Sequence, residues 1–466
     1  YEMRSGVVYI FGRDSSGDWV ETQRIEPEGA EMGNRFGIRV ATQNDLLLVS
    51  ATRADAGTGT VYMYENDGST WNPAGELNTD DRSPADSLGS GLAIDGDWIM
   101  VGTIGQNGGR GAAYVFHRDG DNWVQHSKLA PTTLNPVDRF GANIAINGTH
   151  AFIAATSADE GQGAVYAYEY DTGTDTWAPM GPLQAPLVNA QAAFGTDLKI
   201  DGDVALIGSP GNIVGIGSVM TYGFADGQWE LTTMLIPFEA AAQTGFGGSI
   251  AFDGETAQIG AASASFGEGR VFTYTRDAES NTWTSVTQTA SGAEDDGAFA
   301  STVAMGAGLV VGAAAAADNG TGAAWVLEQG PDGWTPTGRI GGDNLGIDGI
   351  SGDEVRCTDE GEAALFECSS VDLLSFIPLG DMEAERGINT NDVWGWTDSE
   401  SGREIVLVGM TNQTAFVDVT NPGTPLYLGR LPMPEGSNVT VWRDMKVYDN
   451  HMFVVADNAG EHGMQI

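Results

Sequence analysis

One neighbourhood near the end of the chain holds residue types suited to acid–base or metal chemistry. Its candidate residues are Asp444, His451, Asp457 and His462. Histidine titrates near neutral pH and binds metals as a neutral imidazole, and a nearby carboxylate can orient it. The spacing matches no zinc-ligand pattern. An ordinary polar loop is therefore the favoured interpretation, and a catalytic or metal site is the alternative.

The other residues with chemical potential form no catalytic constellation. His117, His126 and His150 are each expected at a polar surface or turn position, one in each of three separate structural units. No Gly-x-Ser-x-Gly nucleophile motif and no glycine-rich phosphate loop occurs in a strand–helix context. The sequence therefore predicts no catalytic residue, no bound cofactor and no dedicated metal site.

The only two cysteines, Cys357 and Cys368, lie eleven positions apart. A disulfide across so short a loop would stabilise the fold by about 3 kcal/mol on a chain-entropy view. Two reduced cysteines are the alternative. We favour the disulfide, which implies an oxidising compartment.

The composition excludes several classes of protein. The chain has 466 residues, with 64 Asp and Glu against 21 Lys and Arg, and a net charge of −43. Nucleic-acid recognition and docking on anionic lipid both need a basic footprint, so neither partner is expected. Hydrophobic residues make up 41% of the chain, which argues against disorder. The longest weakly polar run is too short to span a bilayer.

A repeat of about 52 residues runs through the first three quarters of the sequence. In each copy a tryptophan follows a short β-type run, such as Val61-Tyr62-Met63-Tyr64, by ten to twelve residues. Its fixed place in the repeat predicts packing between sheets rather than a sugar-binding platform. The seven repeat tryptophans are Trp19, Trp71, Trp123, Trp177, Trp229, Trp283 and Trp334.

A second pair of strand signals lies between successive copies. It opens at Phe36-Gly37, Leu88-Gly89, Phe140-Gly141, Phe194-Gly195, Phe246-Gly247 and Phe299-Ala300. Turn dipeptides such as Asn44-Asp45, Asp95-Gly96 and Asn147-Gly148 follow, and then another apolar run. Four short strands in each repeat predict an all-β fold, a seven-bladed β-propeller, with a solenoid as the rival.

The strand count leaves one blade incomplete. Seven Val-Tyr/Trp pairs are present, but only six Phe-Gly hairpins. We expect the seventh hairpin to precede Tyr1, so that the chain is a processed piece of a longer product. Alternatively, residues 341–356 supply it in diverged form around Leu345-Gly346.

Residues 1–343 resemble the FG-GAP repeat family, through Phe140-Gly141, endings of the Gly208-Ser209-Pro210 type and the Gly163–Tyr166 strand. The resemblance implies a propeller with ligand sites on one rim, and in some members calcium in acidic loops. Here the acidic loops 54–57, 158–161 and 317–320 lack the alternating carboxylates of a dedicated site. Calcium is therefore expected at most as a weak ligand.

Residues 344–466 differ in character and carry a second resemblance. The runs 391–398, 414–419, 425–429, 442–447 and 462–466 are similar, in order, to the LVIVD-repeat, choice-of-anchor B group of secreted bacterial proteins. This resemblance implies part of a second β-propeller, secretion and attachment to the cell surface.

The function expected from these patterns is that of a secreted or cell-surface bacterial scaffold without catalytic activity. Its propeller rim loops would present binding or adhesion sites to a protein or glycan partner. One alternative is a subunit of an extracellular fibre, sheath or homo-oligomer that pairs through an open sheet edge. Another is a propeller hydrolase or lyase with its site near His451 and His462.

Overall fold

The structure is a computed structural model, and it describes two compact units. The first unit holds the described residues through Ile340, and the second those from Gly341 onward. Outside the description are residues 1–5, 28–32, 184, 186–188, 239–243, 293–296, 318–321, 332, 342–348, 353, 359–361, 364–365, 370, 385–387, 435, 439–442, 450 and 457–462, and the side chains of 214, 266, 362, 366, 367 and 443. The predicted domain boundary between residues 343 and 344 lies outside the described residues.

The first unit is built from antiparallel sheets whose strands pair in chain order. Sheet 1 has two strands, β1 (Val8–Arg13) and β2 (Trp19–Ile25). Sheet 2 holds β3 (Phe36–Gln43), β4 (Leu46–Ala51), β5 (Thr60–Asn66) and β6 (Trp71–Leu77). Sheet 3 holds β7 (Leu88–Asp95), β8 (Trp98–Thr103), β9 (Ala112–Asp119) and β10 (Asn122–Leu129). Sheet 4 holds β11 (Phe140–Asn147), β12 (His150–Ala155), β13 (Ala164–Asp171) and β14 (Thr176–Pro182).

The next three sheets repeat this plan. Sheet 5 holds β15 (Leu198–Asp201), β16 (Val204–Ser209), β17 (Ser218–Ala225) and β18 (Gln228–Leu235). Sheet 6 holds β19 (Ser249–Phe252), β20 (Thr256–Ala261), β21 (Arg270–Asp277) and β22 (Thr282–Thr289). Sheet 7 holds β23 (Phe299–Gly306), β24 (Leu309–Ala314), β25 (Ala323–Gly330) and β26 (Gly333–Ile340). Among the described residues, five short helical turns join second to third strands: α1 (Ala54–Gly57), α2 (Gln106–Gly109), α3 (Ala158–Gly161), α4 (Asn212–Gly215) and α5 (Ala264–Gly267).

The second unit is also built from strands. A short hairpin pairs β27 (Glu362–Ala363) with β28 (Phe366–Glu367), and a 3-10 turn spans Gly380–Met382. One four-stranded sheet holds β29 (Thr390–Thr397), β30 (Glu404–Met410), β31 (Gln413–Asp418) and β32 (Leu426–Pro432). A hairpin follows, formed by β33 (Arg443–Tyr448) and β34 (His451–Ala456). Cys357 and Cys368 form a disulfide, as predicted, with their Cα atoms 5.8 Å apart.

The sheets of the first unit are the blades of a β-propeller, and the predicted all-β fold class is confirmed. Core clusters draw residues from neighbouring sheets, because both faces of a blade are covered. One cluster joins Met100 and Val115 of sheet 3 to Ile153 and Trp177 of sheet 4. Burial of such apolar surface, at about 25 cal/mol per Å2, is the main force that holds blade to blade.

The predicted two-residue turns between first and second strands are present, with one shift. In sheet 2 the loop is Asn44-Asp45, as predicted. In sheets 3, 4 and 5 the loop begins one residue later than predicted, at Gly96, Gly148 and Gly202. The first loop position needs a positive φ, which is 53° at Asn44 and between 55° and 58° at the three glycines.

Sheet 1 packs between sheets 7 and 2. Arg13 of β1 forms an ion pair with Glu328 of β25, and Val8 and Ile10 pack against the core of sheet 2. Of the stretch 341–356, Ile350 and Val355 form bridges with Phe376 and Leu373 in the second unit. A complete seventh blade stays a prediction.

A Gly-x-Gly segment at the end of each helical turn joins one blade to the next. The first glycine and the central residue each accept a main-chain hydrogen bond from the following blade. In α3 these are Gly161 O from Ala193 N at 3.0 Å and Gln162 O from Phe194 N at 2.7 Å. The same pair of bonds recurs after α1, α2, α4 and α5, with distances of 2.7–3.1 Å. We call this pair of hydrogen bonds the blade clasp.

The second glycine of each segment is required by both conformation and space. At Gly163 φ is +85°, and a Cβ atom would lie 2.2 Å from the Phe194 carbonyl oxygen. The equivalent distances at Gly59, Gly111, Gly217 and Gly269 are 2.0–2.4 Å. A side chain in these places would push the Phe-Gly strand of the next blade outward.

Polar side chains also link the beginnings of the first strands in different blades. Arg39 Nε donates to Ser90 O at 3.2 Å, and Arg39 Nη2 donates to Asn143 Oδ1 at 3.0 Å. Asn143 Nδ2 in turn donates to Thr196 O at 2.6 Å. Asp197 Oδ2 accepts from Ile250 N at 2.6 Å. These side chains satisfy backbone groups at the irregular start of each first strand.

We expect Gly163→Ala to lower the free energy of unfolding by about 2–4 kcal/mol, since it adds left-handed strain and a backbone clash. Gly148→Ala is the matched control, because φ there is +57° but no atom lies within 4 Å of the new Cβ. It should cost only about 1 kcal/mol. Urea titration followed by tryptophan fluorescence measures both. Equal losses in the two variants would show that the blade clasp does not require glycine.

Candidate binding rim

The five helical turns lie on one rim of the propeller. In a four-stranded meander, the links from second to third strand and from one blade to the next share one end, and the two hairpins share the other. Contacts agree, because Gly57, Gly109 and Gly161 lie against the loops that lead into the next blade. We call the turns α1–α5 the rim turns and the opposite edge the hairpin rim.

The rim turns share a backbone but not a sequence. The second residue has a positive φ in all five: Asp55 51°, Asn107 53°, Asp159 50°, Ile213 49° and Ser265 53°. Few non-glycine residues adopt this conformation, and blade clasps hold the turns in it. The first residue of each turn is buried, and the second residue is exposed in α1–α4 and half-buried in α5.

Charge and polarity differ from one rim turn to the next. Asp55 and the pair Asp159 and Glu160 are exposed acids, and Arg82 Nη1 lies 3.8 Å from Asp55 Oδ2. Asn107 is an exposed amide, whereas Ile213 is an apolar side chain that is 37% exposed. The same framework therefore carries anionic, neutral polar and apolar groups.

A polar network that is buried at Gln106 and reaches the surface at Asp81 anchors α2. Gln106 Nε2 donates to Tyr114 Oη at 2.6 Å, and Tyr114 Oη donates to Asp81 Oδ1 at 2.5 Å. Lys128 Nζ donates to Asp81 Oδ2 at 2.7 Å. Hydrogen bonds from Lys128 and Tyr114 lower the pKa of Asp81, while burial raises the pKa of Tyr114. The carboxylate therefore stays ionised and holds the turn in place.

Several acidic residues on the hairpin rim accept hydrogen bonds from the backbone of their own turns. Asp14, Asp67, Asp171 and Asp277 each accept a hydrogen bond from the backbone N–H two residues ahead, at 2.8–3.0 Å. Such bonds form Asx turns. Backbone N–H donors lower the pKa of Asp171 and Asp277 below the usual value. These carboxylates therefore stabilise the hairpin turns in which they lie.

No metal site is formed by the described residues. Among them, no three histidine, cysteine, aspartate or glutamate side chains lie together as ligands. The acids of α1 and α3 are divided between separate blades. Weak calcium binding stays a prediction.

The C-terminal candidates do not form a site within the described residues. Asp444 in β33 pairs in register with Val455, and His451 at the start of β34 pairs with Tyr448. Four residues along a strand separate the two positions by about 13 Å. Asp444 Oδ1 accepts from Lys446 Nζ at 2.9 Å, and His451 Nδ1 lies 2.6 Å from Asp449 O. Asp457 and His462 lie outside the described residues.

The expectation that His117, His126 and His150 occupy separate units is wrong for the first two. His117 in β9 and His126 in β10 share sheet 3, with ring centroids 6.5 Å apart, because the chain doubles back in one hairpin between them. His126 Nε2 lies 3.1 Å from Asp175 Oδ1, which also accepts from Tyr170 Oη at 2.7 Å. The hydrogen bond from Tyr170 is the main cause of a lowered pKa at Asp175.

The repeat tryptophans lie at the interfaces between sheets. Trp177 is buried in a core cluster, and Trp71, Trp123, Trp229, Trp283 and Trp334 pack against the edges of such clusters. Trp19 carries the guanidinium of Arg13 over its ring, 5.1 Å from the centroid.

Sequence reasoning missed the rim turns as a set, although a signal was present. Gly-x-Gly recurs at residues 57–59, 109–111, 161–163, 215–217 and 267–269. Two glycines at a fixed place in every repeat indicate positive φ and close backbone approach. The variable second residue of each rim turn lies two positions before each copy.

Part of this chain matches a known repeat family. The FG-GAP repeat family matches residues 19–64 and 71–116. Each match begins at a repeat tryptophan in an outer strand and ends in the third strand of the next sheet, so the sequence repeat is offset from the blade. A search of curated proteins finds no match. Within the described part of the chain, no helix is both long and apolar enough to cross a bilayer.

Two solved structures are similar to the chain at low identity. One is a Bacteroides uniformis protein described as a candidate 6-phosphogluconolactonase, 13% identical, which covers 71% of this chain and 91% of its own with a TM-score of 0.48. The other is a Lactobacillus plantarum protein, 13% identical, which covers 82% and 94% with a TM-score of 0.42. Neither likeness bears on the activity of this chain.

His150 makes the stability of the propeller depend on pH. Its ring lies 4.5 Å from that of Phe224 in the next blade, and burial lowers its pKa, although Glu169 partly offsets this effect. A lowered folded-state pKa means that the unfolded chain binds the proton more readily. Stability is thus retained above pH about 6.5 and lost as the pH falls below it.

We expect His150→Phe to remove the loss of stability that His150 causes at low pH. Glu169→Gln should make that loss larger, because the carboxylate that partly offsets the lowered pKa of His150 is gone. Urea midpoints of the wild type and both variants between pH 5 and pH 8 measure the effect. An identical pH profile in the wild type and His150→Phe would contradict the assignment.

Proposed function

We propose that this chain is a non-catalytic binding scaffold at the cell surface, and that its rim turns recognise a protein or glycan partner. The observation that carries the proposal is the shared backbone of α1–α5 with different exposed side chains. Rigid frameworks that present variable loops at one end are typical of binding proteins. The FG-GAP repeats at residues 19–116 are compatible with this role.

The surface of the rim favours recognition through several separate contacts. A partner on this rim would meet carboxylates at Asp55, Asp159 and Glu160, an amide at Asn107 and an apolar side chain at Ile213. Hydrogen-bond acceptors beside an apolar group suit the hydroxyls of a glycan or the mixed surface of a protein. The net charge of −43 disfavours polyanions.

An extracellular location is part of the proposal. The Cys357–Cys368 disulfide is stable in oxidising compartments and rare in reducing ones. The resemblance of residues 344–466 to a group of secreted, surface-anchored proteins points the same way.

A lack of catalytic activity is also part of the proposal. It is supported by the separation of Asp444 from His451 along the β33–β34 hairpin. General acid–base chemistry needs such groups within hydrogen-bond reach of one substrate.

We expect the fluorescently labelled chain to bind either a glycan on a microarray or the surface of intact bacterial cells. The triple rim variant Asp159→Asn, Glu160→Gln and Ile213→Ser should weaken that binding by at least about tenfold. Each side chain supplies one surface contact worth about 0.5–1.5 kcal/mol, and about 1.4 kcal/mol corresponds to a tenfold change. Microarray intensities and flow cytometry measure the loss.

The matched control replaces exposed acids on the hairpin rim, by Asp121→Asn and Asp226→Asn. It removes two charges, as the rim variant does, and should retain binding. Loss of binding in the control with retention in the rim variant would contradict the proposed site. Cleavage of a bound glycan, detected by mass spectrometry, would contradict the non-catalytic role.

A further inference from the structure

A slot of about 510 Å3 opens between the outer strands of sheets 5 and 6. Near the hairpin rim it is lined by Thr232 of β18 and, on the side of sheet 6, by Asn281, Thr282 and Trp283. Ser285 of β22 lines it farther along the strand. A slot of this size fits a small ligand. None of the described residues that line it carries a charge.

The corresponding place between sheets 3 and 4 is filled by large side chains. The ring of Trp98 in β8 lies 4.3 Å from that of His117 and 5.1 Å from that of His126. Trp177 of sheet 4 closes on the same ring, with centroids 5.5 Å apart. His126 Nε2 then reaches Asp175 Oδ1 in the β13–β14 turn, at 3.1 Å. No room is left there beside the repeat tryptophan.

Smaller residues at the matching positions of sheet 5 leave the slot open. The three pairs of matching residues in sheets 3 and 5 are Trp98 and Val204, His117 and Gly223, and His126 and Thr232. The first two members of each set face each other in register, and the third is the bulged residue of the fourth strand. A Cβ at Gly223 would lie 3.2 Å from Thr232 Cγ2 and 3.6 Å from Asn281 Nδ2. A larger side chain at position 223 would therefore enter the slot.

The slot presents hydrogen-bonding groups that the described residues leave unused. Asn281 Oδ1 accepts from Arg276 Nε at 2.9 Å, which fixes the amide. Among the described residues, Asn281 Nδ2 and Ser285 Oγ have no hydrogen-bond partner. Trp283 is half-buried, with its ring 5.8 Å from that of Phe252, and its remaining surface lines the slot. An aromatic surface beside an amide and hydroxyl groups matches a sugar ring, which has an apolar face and a polar edge.

We propose that this slot binds one neutral pyranoside ring. The apolar face of the ring lies on Trp283, and a ring hydroxyl accepts from Asn281 Nδ2. A second hydroxyl forms a hydrogen bond with Ser285 Oγ. An uncharged ligand is favoured because it meets no charged side chain among the described lining residues. No residue of the rim turns lines the slot, so this site does not depend on the proposed function.

The probes are the methyl glycosides of glucose, galactose, mannose and N-acetylglucosamine, each added singly to the whole chain. Saturation-transfer NMR should detect binding of at least one of them, with a Kd of about 1–10 mM for so small a ligand. Thr232→His fills the slot with the residue found between sheets 3 and 4, and should weaken binding by at least about tenfold. The matched control is Val124→His on β10, where the valine is 51% exposed. It should bind the glycoside as the wild type does.

A second variant, Asn281→Asp, keeps an acceptor for Arg276 but loses the Nδ2 donor. It should weaken binding by about two- to tenfold, the value of one hydrogen bond. Thermal unfolding checks that each variant folds. The triple rim variant should bind the glycoside as the wild type does, which separates this site from the rim turns. The proposal is overturned if none of the glycosides binds, if Thr232→His and Asn281→Asp leave binding unchanged, or if the triple rim variant loses it.

Discussion

The propeller depends on two main-chain hydrogen bonds that pass from each rim turn to the next blade. Both acceptors belong to a Gly-x-Gly segment, and both donors lie at the start of the Phe-Gly strand. Because the contact is between backbones, it requires glycine where a Cβ would meet a carbonyl oxygen. The phenylalanine that follows is then fixed between two sheets, where Phe140, Phe194, Phe246 and Phe299 are fully buried. Blade spacing, the burial of the core and the shape of the rim turns all follow from this contact.

The large negative charge is compatible with this scaffold because many of the carboxylates form hydrogen bonds or ion pairs that stabilise nearby turns. Many accept hydrogen bonds from the backbone of their own turn, as Asp67 does from Ser69 at 2.9 Å. Others hold a turn through a cation, as Asp81 does through Lys128. The acids are therefore distributed one or two to a turn around apolar strands, and the charge remains at the water surface, where repulsion is screened.

Much of the fold could be predicted from the sequence, whereas little of the chemistry of single sites could. Tryptophans about 52 residues apart and Phe-Gly hairpins indicate four-stranded blades, because turn residues and apolar runs act locally. The Cys357–Cys368 disulfide was also predictable, since the chain has only these two cysteines. Asp444 and His451 are close in sequence but do not contact each other in the β33–β34 hairpin. Closeness in sequence does not determine which residues of a hairpin face each other. His117 and His126, in contrast, lie near each other because the hairpin between them pairs strand β9 with strand β10.

The sequence by itself determined the all-β class, the four-stranded repeat and the approximate places of the turns, since each depends on residues within about fifty positions. Only the tertiary structure decided what the turn residues do between blades. Asp95 and Asn147 look like halves of turn dipeptides, yet Asp95 Oδ2 accepts from Gly148 N at 2.5 Å and Asn147 Oδ1 from Gly202 N at 3.1 Å. Each links its own blade to the hairpin of the next one. These partners lie more than fifty residues apart, and they meet because the blade clasps fix the spacing of the sheets.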